Sequence, residues 1–393
     1  MGFRCDGNCT VCGRCANAPI LTKFMVKGED FKPRTGYGIA VDIGTTTLVF
    51  ALINLEDGKL VGTKSRLNPQ REFGPDVISR IEAAGKGKLG SMQNMITDSI
   101  SQAADELMAA HNIPPADIAE IAIASNTVMT HLLLGLDPKS LGVLPFKPVA
   151  SLAESYSAWE LLPNAGIDCP VKIFPWIAAY VGGDITAGLA LILPDGRERF
   201  LLIDLGTNGE MALYNRGELI VTATAAGPAF EQTVAASGQG SPAFGSASGV
   251  ITALAELVRE GRLDDTGALE DEEVFTQKQV RDLQLAKSAI RSGLEILLEV
   301  AGLTYHEVDM VYLAGGIGQA MVIADALTIG LIPPEMQDKA TPAGNACLGG
   351  AAAVLANPKG LEYATRLIGS ATEINLATHP KFNDYFMEYM YFE

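Results

Sequence analysis

Apolar residues along this chain follow two rhythms. Short apolar runs closed by Gly, Asp or Asn predict strands, and longer stretches with apolar residues every third or fourth position predict helices. Tyr37–Val41 reads as a strand; Leu48–Leu55 then turns at Asp57-Gly58 to make a hairpin. Phe200–Ile203 reads the same way, with Glu210–Tyr214 turning at Asn215-Arg216-Gly217. After the first hairpin, the Pro- and Gly-rich stretch Asn68–Val77 predicts a loop opening a helix over Asp76–Ala84, with Asp76 as an acid in its first turn. Leu89–His111 carries Met92, Met95, Ile96, Ile100, Ala103, Ala104 and Leu107 at helical spacing. Ile118–Ala124 predicts a buried strand, and Asn126–His131 the start of a helix. The lone His131, among leucines, reads as a packing residue. After the second hairpin, Ala226–Glu231 predicts a tight turn into a helix, and Ser237–Gly249 a Gly-, Ser- and Ala-rich mobile loop. Arg281–Val300 is an amphipathic helix, Val308–Ala314 a buried strand, and Gly344–Gly350 opens a last helix of small residues suited to close packing between domains. The order strand, hairpin, helix, strand occurs twice, which predicts two similar α/β domains.

The polar residues that close the first strand of each repeat match. Asp42-Ile43-Gly44-Thr45-Thr46-Thr47 ends one and Asp204-Leu205-Gly206-Thr207-Asn208-Gly209 ends the other. Glycine lets backbone N–H groups approach phosphate oxygens, and the Thr hydroxyls add donors. An Asp beside phosphate needs a cation, which implies Mg²⁺. Two such loops predict two domains gripping one nucleotide. Val181–Gly188 is a small-residue stretch with Asp184 as its acid, able to hold Mg²⁺ or to position an attacking water; helix capping is the plainer use of that residue. Gly227 sits in a turn whose helix can face a ligand, and Gly315, Gly316 and Gly318 allow a flat ligand to lie on the backbone.

Charge and cysteine content narrow the partners. Formal net charge is −17, which excludes a phosphate-neutralising surface for nucleic acid and disfavours an anionic membrane. No apolar run reaches transmembrane length, and Gly2-Phe3-Arg4-Cys5 lacks the apolar core of a signal peptide, so the expected location is cytoplasmic. Four cysteines, Cys5, Cys9, Cys12 and Cys15, crowd the N-terminus as Cys-x3-Cys-x2-Cys-x2-Cys. Four thiolates at this spacing suit a [4Fe–4S] cluster. A structural zinc site also takes four cysteines, but is usually two pairs split by a longer loop. Residues 1–20 are thus expected to form an iron–sulfur segment and residues 21–35, with Lys23, Lys27, Lys32 and Arg34, a solvated linker.

Taken in order, Asp42–Thr47, Val181–Gly188, Asp204–Gly209, Leu313–Gly318 and Gly344–Gly350 resemble the phosphate, connecting and adenosine motifs of the actin-like ATPase superfamily. That resemblance implies two ribonuclease-H-type domains around a nucleotide cleft, here residues 36–198 and 199–393, with a C-terminal helix and tail returning to the first. A narrower resemblance rests on Asn68-Pro69-Gln70, Phe73-Gly74, Asp76 to Ile81 with Arg80, Asn126 to Pro138, Ala226 to Glu231, Leu283 to Ile290 and Pro380 to Phe386. Those segments are similar to the reductive activators of corrinoid proteins. Such proteins use ATP to reduce an inactive Co(II) corrinoid on a methyltransferase partner to Co(I). Better-known members carry a complete [2Fe–2S] ferredoxin domain before the ATPase, or [4Fe–4S] ferredoxin motifs after it; the short four-cysteine segment is expected to stand in for either.

The resemblance implies roles for the residues. Asp42, Thr45, Thr46, Thr207 and Asn208 would serve phosphate and Mg²⁺, with Gly44, Thr47, Gly206 and Gly209 shaping the loops. Asp184 and Asp204 would position metal and water. Gly315, Gly316, Gly318, Gly227, Gly344 and Asn345 would line the rest of the ATP site. The cysteines would relay an electron from an upstream low-potential donor. The same fold also serves small-molecule kinases and activators of other low-potential metalloenzymes. The aromatic stretch Phe382–Phe392 suits either internal packing or a homodimer contact.

Overall fold

The computed structural model describes residues 33–149, 155–206, 208–224, 229–236, 244, 246–318 and 320–392. Cys5, Cys9, Cys12, Cys15, Thr207 and Gly227 lie outside the described residues, as does nearly all of the expected linker. The described chain divides into two compact units, one of residues 33–196 with 345–369, the other of 197–344 with the C-terminal residues from 370.

The first unit is built on a mixed sheet. β1 (Tyr37–Ile43), β2 (Thr47–Asn54) and β3 (Leu60–Leu67) form an antiparallel meander. β4 (Ile118–Ser125) and β6 (Pro170–Ile173) extend it in parallel from β1, and the two-residue β5 (Tyr156–Ser157) closes the edge, giving the order β3-β2-β1-β4-β6-β5. β1 and β4 read as continuous apolar runs because both their faces are covered. Ile39, Val41 and Ile43 face a core shared with Met92, Ile96 and Ile100 of the helix Leu89–His111. Ala40 faces the opposite core, with Ala187 of the helix Gly183–Ile192 and Ala351 of the helix Ala346–Ala356.

The residues on that second face are small because the helices come close. A Cβ on Gly350 would lie 1.9 Å from the Ala187 carbonyl oxygen, and one on Gly349 3.0 Å from Leu191. The small-residue stripe therefore packs helix to helix within one unit rather than between domains, and this helix is not the last: Lys359–Ile368 and Phe382–Glu388 follow.

The second unit repeats the plan. β7 (Arg199–Leu205), β8 (Gly209–Asn215) and β9 (Glu218–Thr224) form its meander, and β10 (Met310–Ala314) and β11 (Ala340–Gly344) run parallel to β7. The order is β11-β10-β7-β8-β9-β12, with β12 (Thr372–Glu373) added at the edge. The β8–β9 turn places Arg216 at φ 48° and Gly217 at φ 100°, the left-handed pair that matches strand twist in a two-residue hairpin. The helix Gln277–Ala301 begins a turn earlier than its apolar pattern indicates, because Thr276 and Gln279 form a reciprocal capping box. Its Leu283, Ile290 and Leu294 pack with Leu201, Ile203 and Leu205.

Two further expectations need correction. Ser246 caps a helix Ala247–Glu260, so the end of the expected loop Ser237–Gly249 is helical. The C-terminal tail packs in the second unit, not the first. Buried Gln284 donates to the Met390 carbonyl at 2.9 Å, buried Lys287 donates to the Tyr391 carbonyl, and the Lys287 ammonium lies 5.0 Å from the centre of the Phe392 ring. Among the described residues no helix is long and apolar enough to cross a membrane.

Candidate nucleotide-binding loops

The turn from β1 to β2 is closed by the Gly44 amide donating to the Thr47 carbonyl at 3.0 Å. A Cβ on Gly44 would stand 2.7 Å from that same oxygen, so the turn admits only glycine. Side chains from three other segments brace this loop. Asn68 Nδ2 donates to the Gly44 carbonyl at 2.9 Å and its own amide to the Thr46 carbonyl at 2.9 Å. Arg80 Nη2 donates to the Thr45 carbonyl at 2.6 Å. Asn126 Nδ2 donates to Thr45 Oγ1 at 3.1 Å.

Each brace is placed by a helix start. Asn68 caps the 3-10 turn Pro69–Phe73; Asn126 caps the helix Thr127–Leu134. Arg80 lies on the helix Val77–Ala83, which Asp76 caps in a box with Ser79; Asp76 is thus the cap rather than a first-turn acid. Arg80 is fully buried, and burial lowers its pKa to about 10, so it stays charged at neutral pH. In the sequence Asn68, Arg80 and Asn126 stand out only as motif residues, with no partner indicated. The available signal was a polar residue capping a helix directly after a strand.

Two carboxylates stand beside this loop. Asp42, at the end of β1, accepts from Asn345 Nδ2 at 2.7 Å and from the Cys347 thiol at 3.2 Å. Burial raises its pKa and these two hydrogen bonds oppose the rise. Asn345 also accepts the Leu348 amide at 2.8 Å, capping the helix Ala346–Ala356. Asp184 lies in the first turn of the helix Gly183–Ile192, whose cap is Gly182. Its carboxyl is pushed up to about 6, first by burial and then by the charge of Asp42, against a hydrogen bond from the Ile185 amide.

Two oxygen-donor acids whose charges are costly together are what a hard divalent cation would relieve, and Asp42 and Asp184 fit Mg²⁺ in that sense. Among the described residues no group of three or more His, Cys, Asp or Glu could hold a metal ion. Mg²⁺ generally uses one or two carboxylates with waters and phosphate oxygens.

Among the described residues the second loop is held by close contacts at its glycines and by Thr224 Oγ1, which donates to the Gly209 carbonyl at 3.2 Å. The Gly206 amide donates to the Asn208 carbonyl at 3.0 Å, and Asn208 Nδ2 to Glu210 at 3.2 Å. Asp204 pairs in register with Ala314 of β10, and Gly344 of β11 pairs with Ala314 from the other side. Gly315 follows at φ +79°, where a Cβ would lie 2.3 Å from Asp204 Oδ1 and 2.6 Å from the Leu205 carbonyl. Gly209 is equally confined, 2.6 Å from Thr224 Oγ1, whereas Gly316 faces open space and Gly318 packs on Leu313. The first unit thus brings together Asp42, Gly44, Thr45, Thr46, Thr47, Asp184 and Asn345, and the second Asp204, Gly206, Asn208, Gly209, Gly315, Gly316, Gly318 and Gly344. His131 is buried, its Nδ1 is 2.8 Å from the Thr127 carbonyl, and its ring lies 4.9 Å from that of Trp176, a packing role.

A mixed-sheet α/β unit occurring twice, each with an Asp-Gly loop after its first strand, is an architecture of the ASKHA, or actin-like, class. The family model for the RACo middle region matches residues 37–193, and that for the C-terminal domain of RACo, the ASKHA domain, matches 198–245 and 264–393. The chain belongs to the RACo family, the reductive activators of corrinoid proteins. The corrinoid activation enzyme RamQ of Eubacterium limosum is 31% identical over 428 residues, spanning 93% of this chain and 72% of that protein. The [Co(II) methylated amine-specific corrinoid protein] reductase of Methanosarcina barkeri is 22% identical, over 89% of this chain and 76% of that one. A solved structure of a reductive activator for corrinoid, iron-sulfur protein superposes with a TM-score of 0.78 at 31% identity, covering 92% of this chain and 67% of that chain.

Proposed function

We propose that this chain uses ATP to drive the one-electron reduction of a Co(II) corrinoid, carried by a methyltransferase partner, to Co(I). The observation that carries the reading is the family membership joined to the twice-built Asp-Gly loop. In this reading the two units are the ribonuclease-H-type halves of an actin-like ATPase working in the cytoplasm. The first-unit loop, Asp42 and Asp184 serve the phosphates and Mg²⁺. Asp204, Thr207 and Asn208 complete the phosphate and water-positioning set, and Gly315, Gly316 and Gly318 serve the adenosine.

Reduction of Co(II) corrinoid is uphill for ordinary donors, so the electron must be coupled to another free-energy source. For a one-electron step a tenfold change in equilibrium is about 59 mV. ATP supplies this only if it binds two conformers of the activator–corrinoid complex unequally. The residues that distinguish ATP from ADP are then those of the two phosphate loops. The electron balance is one electron into cobalt and one out of the activator. Cys5, Cys9, Cys12 and Cys15 are proposed to hold the [4Fe–4S] cluster that supplies it, re-reduced by a low-potential donor.

The test is anaerobic. Reduced full-length protein is mixed with candidate corrinoid proteins, with and without MgATP, while the Co(II)-to-Co(I) absorbance change is followed. Co(I) formation that requires ATP supports the reading; equal Co(I) formation without nucleotide, for every corrinoid protein reduced, overturns the coupling. EPR and absorbance spectra of the anaerobic protein decide the cluster, and a colourless zinc-loaded protein would remove the relay.

A further inference from the structure

In the first-unit loop, three successive carbonyls are claimed by groups of two residues. Those of Gly44 and Thr46 accept from Asn68, and that of Thr45 accepts from Arg80. In a planar trans peptide the C=O and N–H of one unit point in opposite directions. The amides of Thr45 and Thr46 belong to the Gly44–Thr45 and Thr45–Thr46 peptide units, so they are turned away from Asn68 and Arg80. Neither amide donates to another group among the described residues. Successive N–H groups presented together form an anion-binding concavity.

The braces are not ordinary surface contacts. Asn68 is 1% exposed and Arg80 is 0% exposed. The guanidinium meets the carbonyls of Gly74 at 3.1 Å and Thr45, and the sulfur of Met129 at 3.2 Å; no ion pair joins it to a carboxylate among the described residues. Asp76 acts on it only through space, and a buried cation without a direct ion pair is costly unless its site gains something from the charge. The same guanidinium that fixes the Thr45 peptide also lays positive charge behind the loop.

We propose that Asn68 and Arg80 are positioning residues for the triphosphate: together they lock the Thr45 and Thr46 amides outward, with Arg80 placing a fixed cation behind them. This rests on the ATP reading above and adds residues that touch no substrate. It predicts an effect on the phosphates and none on the nucleoside.

The experiment titrates nucleotide-free full-length protein calorimetrically with MgATP and, separately, with adenosine, recording the melting temperature of each variant. Arg80→Met removes the charge and all its donors. Asn68→Asp keeps the size and the cap to Gln70 but replaces the donor to Gly44 with an acceptor. Arg80→Lys retains charge without the fork.

Each of the first two variants is expected to weaken MgATP at least tenfold and to leave adenosine within twofold, with Arg80→Lys intermediate. A folded variant that keeps wild-type MgATP affinity, or one that loses MgATP and adenosine equally, overturns the positioning role. If Arg80→Met does not fold, Asn68→Asp and Arg80→Lys decide by the same criterion. Wild-type protein that binds adenosine but not MgATP, or neither, defeats the ATP reading itself and the positioning role with it.

Discussion

The two Asp-x-Gly loops sit at the same place in sheets that share a five-strand core order and differ in the edge that carries the sixth strand, yet they are held by different contacts. The first is braced by side chains: Asn68, Arg80 and Asn126 grip its carbonyls and hydroxyl, while Asn345 and Cys347 hold Asp42. The second is held mainly by close approach at glycines, with Gly315 against the Asp204 carboxylate and the Leu205 carbonyl, and Gly209 against the Thr224 hydroxyl, which also donates to the Gly209 carbonyl. A repeated fold thus keeps its five-strand core while the support of its loops diverges. Side-chain braces can be weakened by degrees. Backbone contact at a glycine is all or nothing, since any Cβ there collides.

The strongest way to break the comparison is at the acids. Asp204→Ala should abolish ATP-dependent Co(I) formation, about a thousandfold in rate, if Asp204 positions the metal or water. Full activity in that variant, measured anaerobically against the wild type, would remove Asp204 from the site. Next in size is Gly315→Ala. It combines a Cβ 2.3 Å from Asp204 Oδ1 with a left-handed backbone, so it should cost about 3 kcal/mol and displace Asp204. Gly316→Ala, one residue on and facing open space, should cost less than about 1 kcal/mol. Denaturant midpoints for the pair check this; equal values would mean the second loop is not held by backbone contact.

The same contrast sets what was legible in the sequence. Strand–hairpin–helix order, the helix Leu89–His111 and both Asp-Gly turns follow from local patterns of apolar residues and turn formers, which short-range physics fixes. Long-range choices were not legible. Small residues at Gly349 and Gly350 announce a close helix contact but not its partner, and the helix Gly183–Ile192 supplied it from the same unit. The tail's destination depended on Gln284 and Lys287 needing carbonyl acceptors, a demand visible only once both are buried. At the site, Asp42 and Asp184 could be named as acids, but not Asn345 and Cys347 as the donors that restrain Asp42, nor Arg80 as a buried brace.

Asn345 sharpens the side-chain half of the comparison. It caps a helix through Leu348 and donates to Asp42, so Asn345→Ala should lose a cap and one charge-assisted bond, about 2 kcal/mol together. Asn345→Asp keeps the cap but sets a second charge against Asp42. If the pairing matters, the Asp variant should be the less stable of the two at neutral pH and should regain stability with added Mg²⁺. Melting curves with and without Mg²⁺ distinguish this from a loss of capping alone, which Mg²⁺ would leave unchanged.

The smallest expected effect concerns Asp184, and its sign is opposite to that of an ion-paired acid. Its carboxyl is raised from 3.8 to about 6, first by burial and then by the charge of Asp42, so the folded protein binds a proton that the unfolded chain has released. The stability this carboxyl contributes is complete below the unfolded value of 3.8, and is lost as pH rises through about 6. Asp184→Asn is a neutral mimic. Without metal it should match the wild type in strong acid and exceed it at neutral pH, by on the order of 1 kcal/mol for a half-buried group. Adding Mg²⁺ with ATP should reverse the ranking, because only the wild type offers a second anionic ligand beside Asp42. Melting temperatures across that pH range, with and without MgATP, read both signs at once. A wild type more stable than Asp184→Asn at neutral pH without metal would show that Asp184 is stabilised by a cationic partner of its own.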